Sequence, residues 1–168
     1  MTEPTPQPDR TELSQELSRM VAAARQKFAD SDGPREAFEA LGKVHTARMK
    51  EIIAEIGWPT NTKVGKDGAF DAWLLVQHAD DEAEFHAHCL ELMRACEPEE
   101  VGLRLIGYLD DRVRAAAGRA QLYGTQFQEG ADGKPEPWLI EDVEHPDERR
   151  AAIGLGPFED YRRQMEGG

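Results

Sequence analysis

Along most of the chain, apolar residues recur at three- and four-residue spacing, the period of helices that bury one face. From Asp9, which forms a capping-box-like start with Glu12, the positions Leu13, Leu17, Met20, Val21, Ala24 and Phe28 fall on one stripe. Ser31-Asp32-Gly33-Pro34 stops that helix, and Pro34 takes a first-turn position in the next. The second helix carries Phe38, Leu41, Met49, Ile52, Ile53 and Ile56, with His45 on the stripe, and ends at Gly57-Trp58-Pro59. A loop over 60–68 then leads into a third helix over 70–78 that is apolar nearly all round, as a central, buried helix would be. Asp81 and Glu84 resemble a second capping box, opening a helix with Phe85, Cys89, Leu92, Met93 and Cys96 on its stripe. Pro98 opens a fifth, expected to run through Leu105, Leu109 and Val113 to Gly118.

At that point the period changes. Residues 121–128 read as a strand, and Asp132-Gly133 is a strong turn signal before Trp138-Leu139-Ile140, so a hairpin over about 121–140 is the economical reading. Pro146 starts a short helix through Ile153, residues 154–157 break it, and a last turn or two runs to about Met165. The expected fold is α+β: one mostly helical domain over 10–166, with five or six helices and one hairpin towards the C-terminus. A disordered lead-in over 1–9 is expected from its proline-rich, polar composition.

A chain of 168 residues suits one core. Its formal net charge of -13 interleaves 33 acids with 20 basic residues, which disfavours nucleic acid and anionic membrane as partners. No run reaches the ~18 apolar residues of a spanning helix, and the start lacks a signal-peptide pattern, so a cytoplasmic setting is expected. Cys89 and Cys96, seven residues apart on a helical pattern, are expected to remain reduced.

The segment Gln121-Leu122-Tyr123-Gly124-Thr125-Gln126-Phe127 and the pair Gln77-His78 place polar groups where a core would be expected. Buried polar groups need partners or a ligand, because leaving one unpaired costs about 1–3 kcal/mol. Strand alternation would put Gln121, Tyr123 and Thr125 on one face, lining a pocket; the competing reading ties Tyr123 into the core and makes Gly124 a bulge. His78 suits a general base at the mouth of the third helix, against a histidine that merely complements the helix end. Arg112, Arg149 and Arg150 suit an anion, unless they pair internally; Arg112 then has Asp111, Glu141 and Asp142 as candidate partners. Of the adjacent Arg149 and Arg150, one is expected at the surface. His86 and His88 have the wrong spacing for a helical ligand pair, so no metal site is expected and both read as solvated; no phosphate loop or nucleophile elbow implies a cofactor.

Taken together, Gly57-Trp58-Pro59, Trp73-Leu74-Leu75-Val76-Gln77-His78-Ala79-Asp80, Asp111-Arg112-Val113, Gln121-Leu122-Tyr123-Gly124-Thr125-Gln126, Arg149-Arg150, Gly154-Leu155 and Tyr161 resemble an uncharacterised bacterial family, domain of unknown function 6624. The likeness spans about 52–161 and leaves the N-terminal helix outside. It implies no activity, but its polar pieces are the ones already singled out by placement. Two functions follow. In the first, a small enzyme-like domain binds a polar or anionic small molecule, with His78 as base, Arg112 as anion anchor, and Gln77, Gln121, Tyr123 and Thr125 orienting it. In the second, a non-catalytic module binds a protein partner, and the same residues form a structural network.

Overall fold

The computed structural model describes residues 10–29 and 33–167. Among them are eight helices and two short strands: α1 (Arg10–Ala29), α2 (Arg35–Ile56), α3 (Asn61–Gln77), α4 (Ala83–Arg94), α5 (Pro98–Val101), α6 (Leu103–Ala116), β1 (Phe127–Glu129), β2 (Pro135–Pro137), α7 (Pro146–Ala152) and α8 (Phe158–Glu166). The mostly helical α+β fold with one C-terminal-side hairpin is as the pattern predicts. The expected lead-in and the Asp9 cap fall outside the described residues. The described residues form two compact units, one from the parts of Met1–Glu82 and Ala95–Val101, the other from those of Ala83–Arg94 and Gly102–Gly168.

In the first unit α1 lies along α3, and α2 packs on both. Leu13, Leu17, Met20 and Val21 of α1, Met49, Ile52 and Ile53 of α2, and Val64, Ala72, Trp73 and Val76 of α3 are buried. Each large aliphatic side chain so buried contributes about 1.5–3 kcal/mol. The close approach of α1 and α3 depends on Gly68, where a Cβ would come within 2.9 Å of Ser14 Oγ. One turn on, Ser18 Oγ donates to Asp71 Oδ2 at 2.9 Å. Arg48 clamps α2 to α1 through both oxygens of Glu16, at 2.6 and 3.1 Å. The stripe of α1 stops short of its expected end: Phe28 is exposed and meets the ring of Phe38 at 6.1 Å instead of entering the core.

Two boundaries differ from expectation. The predicted loop over 60–68 is largely helical, since α3 begins at Asn61 and is kinked at Gly65 (φ 78°). The cause is non-local: Glu100 accepts from Thr62 N at 2.8 Å and Thr62 Oγ1 at 2.6 Å, and Asn61 Nδ2 donates to the carbonyl of Glu99, so distant acceptors satisfy the start of the helix. The predicted fifth helix is divided at Gly102 (φ 89°) into α5 and α6, one reason for eight helices in place of five or six.

In the second unit α4 packs on α6, burying Phe85, Cys89, Leu90 and Met93 of α4 and Leu109 of α6. His86 is buried too, which corrects the expectation of a solvated flank; α4 buries a wider face than its apolar stripe alone, and His88 alone of this pair is exposed. The hairpin pairs Phe127 with Pro137, Gln128 with Glu136 and Glu129 with Pro135, in antiparallel register. Its turn is closed by Gly130 N donating to Lys134 O and by Asp132 Oδ1 accepting Lys134 N. The hairpin is therefore confined to 127–137. The expected strand over 121–126 is absent, apart from a parallel bridge between Gln121 and Ile140.

Candidate functional site

A buried carboxylate explains why 121–126 forms no ladder. Asp111, in the middle of α6, is fully buried. Its Oδ1 accepts from Leu122 N at 2.7 Å and Tyr123 N at 3.1 Å, while Oδ2 accepts from Thr125 N at 3.0 Å and Thr125 Oγ1 at 2.9 Å. Three backbone N–H groups and one hydroxyl of the 122–125 segment thus converge on one side chain. Burial pushes the Asp111 carboxyl above the usual carboxylate range, and these four donors offset only part of that rise. Gly107, one turn earlier on α6, lets Ile153 and the Tyr123 ring approach; a Cβ there would meet both.

The carbonyl side of the same loop is held by α7. Arg149 Nε donates to Leu122 O at 2.8 Å, and its Nη2 bonds the carbonyls of Glu141 and Asp142. Arg150, buried, donates from Nη1 to Tyr123 O and from Nε to Gly156 O, both at 2.6 Å. Its guanidinium carbon lies 5.3 Å from the ring centroid of Tyr161 and 5.9 Å from that of Phe158, and burial lowers its pKa. Of the two adjacent arginines, only Arg150 is buried, since neighbouring helical residues do not both face the core. Arg150 points inward, and Arg149 reaches sideways along the loop, because its long stem lets it serve carbonyls from a half-buried position. Tyr161 Oη donates to Thr125 O at 3.4 Å; burial and the neighbouring Tyr108 push its hydroxyl up to about 12.

Gln121 closes the loop on itself. Its Nε2 donates to Gln126 O and Trp138 O, both at 2.9 Å, and its Oε1 accepts Gln126 N at 2.8 Å. Gly124 sits at φ 71°, where a Cβ would come within 2.6 Å of the Phe158 ring. Of the residues singled out by sequence, Gln121, Tyr123 and Thr125 are thus brought together, in a loop around Asp111 where the alternation of a strand had been expected. Arg112, next to Asp111 on α6, is half-buried. Nearby, Glu141 receives Arg114 at 3.5 Å, and Asp142 receives His145 at 3.1 Å and Arg149 at 3.9 Å. Gln77 and His78 belong to the other unit. There Gln77 is buried in the last turn of α3, and His78 is its exposed C-cap, donating N–H to Leu74 O.

A family model spans residues 11–168 of the chain. This protein belongs to a family of unknown function (DUF6624). The DUF6624 match includes α1, so the N-terminal helix is part of the family and not an addition outside it. No curated protein and no solved structure matches the chain. Asp111 is the residue that reasoning from sequence undervalued, as it entered only within Asp111-Arg112-Val113 and as a candidate partner of Arg112. The available signal was a carboxylate one turn after Gly107, within the span of a helix patterned to bury Leu109. In the DUF6624 chain Cys89 and Cys96 are free thiols. Among the described residues no three His, Cys, Asp or Glu side chains gather as a metal-binding group, and no helix is long and apolar enough to cross a membrane.

Proposed function

We propose that this protein is a non-catalytic interaction module, working in the cytoplasm, whose polar signature is an internal brace that shapes a surface for a protein partner. The observation that carries the reading is the engagement of Asp111, Gln121, Arg149 and Arg150 by the backbone of one loop. Asp111 holds three N–H groups and a hydroxyl, and Gln121 uses both ends of its amide. A substrate site works through groups that converge on a space a ligand can enter; here the groups converge on main chain. Arg149 and Arg150 act likewise, as carbonyl clamps.

The brace and an enzyme-like pocket respond differently to substitution. Gln121→Leu leaves buried backbone groups, and Thr125→Val leaves the Asp111 carboxylate, short of a bond, and each is expected to lower the unfolding free energy by about 1–3 kcal/mol in urea denaturation. Native mass spectrometry of the purified protein supplies the second readout. A small molecule that co-purifies with the parent and is lost from a Thr125→Val variant of parental stability would overturn the module in favour of a ligand pocket containing Arg112 or Tyr123.

A further inference from the structure

Within the second unit, residues 138–147 leave an open groove of about 810 Å³ between β2 and the start of α8. Its apolar lining comes from Trp138, Leu139, Ile140, Val143 and Phe158. Leu139 and Val143 are 64% and 65% exposed, so two aliphatic side chains project into solvent on one stretch of backbone. The rim is acidic, with Glu136, Glu144, Asp147 and Glu159. The one basic side chain in the lining, Arg162, is engaged by Glu159 at 3.5 Å and Glu166 at 2.7 Å. We infer that this groove docks a segment of a partner protein that presents an apolar anchor flanked by lysines or arginines. The inference rests on the interaction-module reading and adds the surface and the partner's chemistry.

Three observations select that occupant. Apolar side chains that stand proud of the surface and are ringed by charge are the composition of a protein-docking patch. The rim carboxylates, in a chain of net charge -13, attract a basic segment and repel a second copy, a nucleic acid or an anionic bilayer. β2 is Pro135-Glu136-Pro137, so two of its three residues have no N–H to offer a pairing strand. Docking through side chains is therefore favoured over strand addition at that edge. The groove is also tied to the brace: Gln121 Nε2 bonds Trp138 O, and Gln121 exchanges backbone bonds with Leu139 and Glu141.

The test uses the full chain and three capped synthetic peptides: one with a central Leu-Val-Phe between lysine and arginine flanks, one with glutamates in those flanks, and one with alanines at the centre. Fluorescence anisotropy should show the first binding at least about tenfold tighter than the others and weakening as salt is raised. Leu139→Ser with Val143→Ser, both at exposed positions, should weaken it about tenfold with circular dichroism and thermal midpoint unchanged. Glu144→Lys should weaken it without altering the fold. Amide shifts in ¹⁵N spectra should centre on 138–147. Equal affinity for the acidic peptide, no binding, shifts confined elsewhere, or concentration-dependent dimers abolished by the double serine variant would overturn the inference, the last in favour of self-association. If the peptides fail while Gln121→Leu and Thr125→Val remain destabilising, the groove assignment fails and the brace stands; if those two variants keep parental stability, the module reading itself fails.

Discussion

Replacing Asp111 by asparagine tests the brace at its centre. The change keeps size and shape but converts one of two acceptor oxygens into a donor. If the amide nitrogen takes the place of Oδ2, the Thr125 hydroxyl can turn to accept from it, but Thr125 N loses its acceptor at 3.0 Å and meets another N–H. If the nitrogen takes the place of Oδ1, Leu122 N loses its 2.7 Å acceptor and Tyr123 N its nearer one. The first arrangement is cheaper, since it orphans one buried donor, at a cost of about 1–3 kcal/mol. The remaining bonds lose their charge assistance, and charged hydrogen bonds are roughly twice as strong as neutral ones. Against these losses stands relief from burying a charge, the effect that raises the Asp111 pKa. Net destabilisation of about 2 kcal/mol is expected at neutral pH. Asp111→Ala orphans the N–H groups of Leu122, Tyr123 and Thr125 together, a loss comparable with the ~5–15 kcal/mol stability of a whole domain. Urea denaturation followed by circular dichroism gives the first quantity. Amide hydrogen exchange gives a second: protection at Leu122, Tyr123 and Thr125 should fall more than at β1. Asparagine at less than about 0.5 kcal/mol cost, with those three amides still protected, would refute the reasoning.

Gly124→Ala should destabilise the loop by about 2 kcal/mol or more, because the left-handed backbone is compounded by a Cβ 2.6 Å from the Phe158 ring; Gly118→Ala, at a similar φ of 70° with open space around it, should cost only about 1 kcal/mol. Equal losses in thermal or urea melts would remove the packing argument. His45, half-buried on α2, has its pKa lowered by burial, so the unfolded chain takes up its proton first as pH falls. Its contribution to stability should be complete above the ordinary histidine pKa of about 6.5 and decline as pH drops through the lowered folded value. His45→Gln should flatten that part of the stability–pH curve, and an unchanged slope would count against it.

Much of the helical framework was legible because its information is local. The three-four stripe of α1 and α2 names Leu13, Leu17, Met49, Ile52 and Ile53, and these are buried; Asp132-Gly133 marks the hairpin turn. Periodicity could not say how far a stripe stays covered. Phe28 continues the α1 pattern yet is exposed, and His86, off the apolar pattern, is buried in α4. The candidate residues were legible as a group, since polar side chains in a core-like position must be engaged by something. What engages them was not. Nothing within a strand-length window of 121–126 announces that its N–H groups will turn to Asp111, eleven to fourteen residues earlier, or its carbonyls to Arg149 and Arg150, twenty-seven later.

Sequence alone therefore determined most of the helical framework, the hairpin turn and which polar residues require an explanation, because side-chain period and turn chemistry act over a few residues. Only the tertiary structure decided that 121–126 is a braced loop instead of a strand, that α3 starts at Asn61 under Glu99 and Glu100, and that Leu139 and Val143 are left facing solvent. Each of these turns on competition between a local preference and a partner far along the chain, and the distant carboxylate or guanidinium prevails where burial makes an unmet backbone bond costly.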